Sequence, residues 1–300
     1  MPLNKGATVA LVTPFTSTGE IDVPNLNTLI QFHIDAETDN LCILGTTGEA
    51  SVMSMKEREL ILSTVIDMCK GKIPIIVGCV TINPVHVKEM TQQAIDLGCD
   101  ANLMVCPYYV KPPQRGMIKM FTSIADMGLP VIMYNIPGRA AINLSDESIA
   151  ICSQHDNIVA LKDATGDLSR LTSVRSLVGD DFLLYSGADD SSLEFVHLGG
   201  DGCISVTANV APASLHKIMT HALKGEFEEA EALNKPLEVI HKKLFIESSP
   251  MPVKWALKRM GLIDTEYCRA PLDEMDPKFQ PDVEEALKGA GLLEEALKGA

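Results

Sequence analysis

The stretch IVALKDATGD, residues 158–167, carries a lysine at the end of an apolar run. Strand alternation places Ile158, Ala160 and Lys162 on one face and Val159 and Leu161 on the other, so the Lys162 amine points where its neighbours are buried. Two chemistries fit such a group. It can be one half of an inert buried ion pair with Asp163, although successive strand residues point to opposite faces and leave that partner poorly placed. Alternatively, burial disfavours the ammonium, and a neutral amine can attack a ketone to form a Schiff base. The local stretch leaves both open.

Other polar residues also follow apolar runs. Tyr134 stands near the end of VIMYN, where a phenol can exchange protons with a carbinolamine and Thr46 or Thr47 of GTTGE can relay them. A tyrosine in a strand can equally fill the core. GTTGE, residues 45–49, is either a plain glycine turn from strand to helix or a set of amides and hydroxyls able to hold a carboxylate. Arg139 in IPGRA follows a Pro-Gly turn; it is solvated there, or it clamps a carboxylate with a bidentate grip. Tyr108 and Tyr109 follow a further run. The histidines fall mostly in helical stretches and none ends a strand, which argues against a His-based metal site.

The elements that must position these groups recur regularly. Eight β-rich apolar runs start at residues 7, 40, 73, 101, 130, 158, 182 and 202, separated by helical patterns. Ser54 and Glu57 form a capping box, and Gly98, Gly128 and Gly179 sit where helices should end. Eight strand-helix units predict an α/β fold, the (β/α)8 TIM barrel, whose strands are buried on both faces and whose chemistry sits at their C-terminal ends. A doubly wound open sheet is the main rival, weakened because no GxGxxG follows a strand. After residue 225 only helical patterns remain, so residues 1–225 are expected to form the barrel and 226–300 a C-terminal helical extension packed on it. The final EEALKGA, residues 294–300, repeats residues 284–290 and is assigned no function.

Composition narrows the partners. A net charge of -15 argues against nucleic acid and anionic membrane surfaces, so an anionic substrate needs its own local positive charge. The 8 cysteines are scattered singly with no CxxC, as expected of buried thiols in a reducing compartment. No segment approaches the ~18 apolar residues of a membrane span, and the N-terminus lacks a signal-peptide core. A cytoplasmic protein is expected.

Taken together, GTTGE, YY at 108–109, YNIPGR at 134–139, LKDATGD at 161–167, YSGADD at 185–190, GCISVTANVAP at 202–212 and SPMPVKWAL at 249–257 resemble the dihydrodipicolinate synthases. These are the 4-hydroxy-tetrahydrodipicolinate synthases among the N-acetylneuraminate lyase-like class I aldolases. The resemblance implies condensation of pyruvate with L-aspartate 4-semialdehyde in diaminopimelate and lysine biosynthesis, with no metal, flavin or nucleotide. It further implies that Lys162 forms the Schiff base and that Tyr134 donates and accepts protons. Tyr134 would be linked through Thr46 to a Tyr109 reaching in from a neighbouring subunit. Thr46 and Thr47 would receive the pyruvate carboxylate, Gly187 and Ile204 would line the pocket, and Arg139 would hold the semialdehyde carboxylate. A homotetramer built as a dimer of dimers is expected from the same likeness.

One departure matters. Lysine-inhibited members place His, Asn and Glu where Met55, Ile82 and His86 align, and a thioether and an alkyl chain cannot supply those hydrogen bonds. Weak feedback by lysine is therefore expected. Two rival functions remain: another class I lyase acting on N-acetylneuraminate or a 2-keto-3-deoxy sugar acid, and a non-catalytic keto-acid-binding barrel.

Overall fold

In the computed structural model, which describes residues 1–293, eight parallel strands close into a barrel in chain order. They are β1 (Gly6–Ala10), β2 (Asn40–Ile43), β3 (Ile75–Cys79), β4 (Ala101–Val105), β5 (Val131–Asn135), β6 (Ile158–Asp163), β7 (Leu183–Ser186) and β8 (Gly202–Ser205). β1 pairs with β8 from Gly6↔Gly202 to Val9↔Ser205, so no strand edge is left open. The protein is a (β/α)8 barrel with further helices at its C-terminal end. The second EEALKGA lies outside the described residues.

Burial explains the apolar runs. The barrel interior is filled by Ala10, Ile76, Ala101, Leu103, Ile132, Tyr134, Ala160, Tyr185 and Ile204, while two larger clusters fill the space between strands and helices. Both strand faces are thus dry, and alternation with polar residues is lost. The helix Met55–Cys69 starts at the expected capping box: the Ser54 hydroxyl accepts from the Glu57 N–H, and the Glu57 carboxylate accepts from the Ser54 N–H at 2.8 Å. Gly98 caps the helix Pro84–Leu97 in the left-handed region, φ 86°. The helix Ser169–Leu177 ends differently, with Val178 extended ahead of Gly179.

Strict alternation fails in one place. Ile158 pairs with Val131 but Ala160 pairs with Ile132, so Val159 is an extra residue, a β-bulge in β6. Ile158 therefore packs outward with Leu161, not on the face of Ala160 and Lys162 as the pattern of two predicts. The bulge leaves the last turns of β6 in register, with Tyr134↔Lys162 and Asn135↔Asp163.

After β8 come the helices Pro212–Leu223, Phe227–Asn234, Glu238–Lys243, Met251–Arg259 and Gln280–Gly289. In the helix Met251–Arg259, Met251 through Leu257 are all buried, including Lys254. All 8 cysteines are free and buried. Among the described residues no helix is long and apolar enough to cross a membrane.

His33, in the helix Val23–Asp35, gives the fold a pH dependence. Its ring is fully buried, Nδ1 meets the Thr38 hydroxyl at 2.9 Å, and desolvation lowers its pKa from 6.5 to about 3. The folded chain holds it neutral, while the unfolded chain protonates it below 6.5. Its contribution is complete above that value and falls by ~1.4 kcal/mol for each pH unit below it, down to about 3. Denaturant midpoints at pH 7 and 5 should therefore differ less in His33→Gln than in the parent; equal slopes would contradict the assignment.

Candidate active site

Lys162 stands near the C-terminal end of β6 and points into the barrel, 6% exposed. Its Nζ lies 4.4 Å from the centroid of the Tyr134 ring, which is its cross-strand neighbour on β5. Among the described residues no carboxylate pairs with the amine. Asp163 turns the other way: one carboxylate oxygen lies 3.3 Å from Arg170 Nε, and the other accepts the Thr165 N–H at 2.8 Å. The Cys42 thiol shares the barrel interior with Tyr134, and burial pushes it up to about 11.

A glycine keeps the other side of the lysine open. A Cβ on Gly187, just past β7, would sit 3.0 Å from Lys162 Cε and 2.7 Å from Ala164 Cβ. The backbone N–H of Gly187 donates to the Asp163 carbonyl at 2.7 Å, which holds the two strand ends together. Ile204 of β8 is 1% exposed and belongs to the same interior cluster as Tyr134.

At the end of β2 the chain makes a tight turn through GTTGE. Leu44 and Glu49, at its two ends, both adopt φ 55°, an uncommon conformation for residues with a side chain. β3 yields to it: a Cβ on Gly78 would come 2.1 Å from the Leu44 carbonyl oxygen. Thr47 is buried and Thr46 half-buried. Among the described residues neither their hydroxyls nor their N–H groups meet a partner. Four free donors on one short turn suit an anionic group.

Two of the expected residues stay outside. Arg139 lies in the single turn Pro137–Ala140, exposed, with its guanidinium unpaired among the described residues. Tyr109 is 86% exposed in the left-handed region, φ 68°, followed by an exposed Val110 and by Lys111 at φ 46°. Tyr108 is half-buried and packs against the interior cluster. Met55 opens the helix Met55–Cys69, partly exposed; Ile82 is half-buried and His86 is exposed at the start of the helix Pro84–Leu97. Among the described residues no group of His, Cys, Asp and Glu is arranged to hold a metal ion.

Two polar networks beneath the strand ends escape the sequence reading. Asp189, after β7, accepts from the Val206 and Thr207 N–H groups at 3.0 and 2.9 Å and from the Thr207 hydroxyl at 3.1 Å. That hydroxyl meets His241 Nδ1 at 2.9 Å, and Nε2 reaches Asn234 at 3.1 Å. Burial lowers the His241 pKa against the pull of Asp189, Asp190 and Glu238. The second network joins Glu49 to Lys254, Nζ to carboxylate oxygen 2.5 Å, both side chains dry. The available signal for it was a lysine inside the apolar SPMPVKWAL.

Comparison with known proteins agrees with this geometry. The sequence profile of the Dihydrodipicolinate synthetase family matches residues 3–290. The chain is 42% identical over 291 residues to the 4-hydroxy-tetrahydrodipicolinate synthase of Alcanivorax borkumensis, covering 97% of this chain and 99% of that one. It is likewise 42% identical over 289 residues to the enzyme of the same name from Psychromonas ingrahamii, with 96% and 99% covered. Among solved structures it resembles the chloride-inhibited dihydrodipicolinate synthase from Acinetobacter baumannii complexed with pyruvate. That structure gives a TM-score of 0.94 and 40% identity, with 96% of this chain and 99% of that chain covered.

Proposed function

The chain belongs to the dihydrodipicolinate synthetase family, and from that membership we propose that it condenses pyruvate with L-aspartate 4-semialdehyde. The product is 4-hydroxy-tetrahydrodipicolinate, on the route to diaminopimelate and lysine. The observation that carries the reading is a buried lysine amine with no counter-ion among the described residues, set over a tyrosine ring inside the barrel. A buried charge without a partner is costly, whereas a neutral amine is a nucleophile. A relative of this chain has been solved in complex with pyruvate, which supports the choice of keto acid.

In the proposed sequence Lys162 Nζ attacks the pyruvate keto carbon. The carbonyl oxygen leaves as water with the two amine protons, and the imine remains. The imine nitrogen takes up a proton, which makes the methyl group acidic; loss of one methyl proton then gives a neutral enamine. The enamine carbon attacks the aldehyde, whose oxygen takes up a proton. The amino group of the semialdehyde then adds to the imine carbon and expels Lys162, closing the ring. Tyr134 is the proton donor and acceptor, because its ring lies against the amine. Thr46 and Thr47 supply free donors for the pyruvate carboxylate, while Gly187 and Ile204 shape the wall behind the lysine.

Arg139 is the residue for the second carboxylate, since it is an exposed guanidinium one turn beyond the strand that carries Tyr134. Tyr109 points to solvent in a single chain, so its part in a proton relay requires a neighbouring subunit; we assign a dimer of dimers in the cytoplasm. Met55, Ile82 and His86 leave feedback by lysine weak.

The experiment is turnover of pyruvate with aspartate semialdehyde beside cleavage of N-acetylneuraminate and 2-keto-3-deoxy sugar acids. Condensation with the semialdehyde should dominate. Arg139→Ala should raise KM for the semialdehyde by about 10- to 100-fold, the value of one charge-assisted contact. Its KM for pyruvate should hold, and preferential sugar-acid cleavage would overturn the assignment.

A further inference from the structure

The turn that presents Thr46 and Thr47 is held from behind by the far end of the chain. Glu49, its last residue, sits at φ 55° with its side chain 1% exposed. One carboxylate oxygen accepts from Lys254 Nζ at 2.5 Å, across 205 residues of sequence, and the other accepts from the Arg269 N–H at 2.9 Å. Lys254 is in turn fully used: it donates to the Tyr267 carbonyl at 2.8 Å and stands 4.1 Å from the centre of the Phe15 ring. Arg269 closes the ring of contacts by donating to the Val52 carbonyl at 3.1 Å, to the Gly19 carbonyl and to Glu57.

We infer that the buried Glu49–Lys254 pair is a positioning device for pyruvate: it fixes the Thr46–Thr47 turn from the C-terminal helices. Stability alone gives a weak reason for such a pair, because well-packed apolar residues of similar volume serve as well or better. What an ion pair adds is a fixed distance and direction. Here it fixes the end of a turn whose other end, Leu44, is also left-handed, so the turn has little freedom to find its shape unaided. The free donors of Thr46 and Thr47 lie between these two ends. The inference rests on the pyruvate reading of that turn.

The test separates position from folding. Parent, Glu49→Gln, Glu49→Asp and the double variant Glu49→Gln/Lys254→Met are incubated with rising pyruvate, reduced with borohydride and scored for adduct on Lys162 by mass. Thermal midpoints are recorded in parallel. The variants that fold should need at least ~10-fold more pyruvate for half-maximal adduct while reaching the parent's final level. The double variant, which leaves no buried charge unpaired, should keep a thermal midpoint near the parent's. Glu49→Asp keeps both charges and is the variant to read if the others do not fold. Half-saturation at the parent's pyruvate concentration in any folded variant overturns the inference, as does a lowered thermal midpoint with unchanged half-saturation. Absence of adduct in the parent at every concentration instead overturns the pyruvate reading itself, and the inference with it.

Discussion

Lys162→Met should abolish condensation, lowering kcat by about 10^4-fold or more, the scale of losing a covalent nucleophile. The same substitution should not lower thermal stability. The amine has no carboxylate partner among the described residues, and methionine keeps the length and packing of the stem inside the barrel without burying a charge. Loss of activity with retained stability separates a nucleophile from a structural lysine, whose removal would break an ion pair and destabilise the fold. The direct measurement is trapping: pyruvate followed by borohydride should add one reduced pyruvate to the parent at Lys162 and nothing to Lys162→Met. An adduct on another lysine, or none, would exclude the Schiff-base role.

The second large effect is expected at Tyr134. Tyr134→Phe should lower kcat by roughly 10^2- to 10^3-fold, the usual contribution of a positioned acid or base, with KM for pyruvate nearly unchanged. The ring remains beside the Lys162 amine, so the wall of the site is preserved. The hydroxyl itself meets no partner among the described residues, so its removal leaves no buried group unsatisfied and the thermal midpoint should hold. A phenol that merely filled space would change neither rate nor binding. A phenol that held pyruvate would raise KM at constant kcat. Steady-state kinetics therefore distinguish the three roles, and slow adduct formation in Tyr134→Phe at saturating pyruvate would locate the proton transfer at the imine-forming step.

Much of this molecule is legible in the chain because barrel strands are buried on both faces. Continuous apolar runs at regular spacing count the strands directly, and the chemistry follows because polar residues that end such runs have only the barrel mouth to occupy. Lys162, Tyr134 and the GTTGE turn are found this way. Arg139 and Tyr109 are legible as residue types at the right strand ends, yet in the single chain both lie exposed. The parts proposed for them in the reaction call for a bound substrate and a neighbouring subunit.

The bulge at Val159 is invisible to pattern reading, since Ile158, Val159 and Ala160 are all apolar and a slip of one residue leaves the run unchanged. Asp163 is the converse case. Alternation correctly turns it from Lys162, but nothing in the sequence names Arg170 as its partner.

By itself, then, the sequence determined the eight-strand order, the apolar interior and the residue types set at the strand ends, all of which follow from local periodicity and burial. Only the tertiary structure decided which distant side chains meet. Glu49 finds Lys254 across 205 residues, and His241 finds Thr207 across 34. Both join the C-terminal helices to loops that follow barrel strands. Such contacts leave no periodic trace, because a buried polar group needs only one partner, and closing the barrel is what brings that partner within reach.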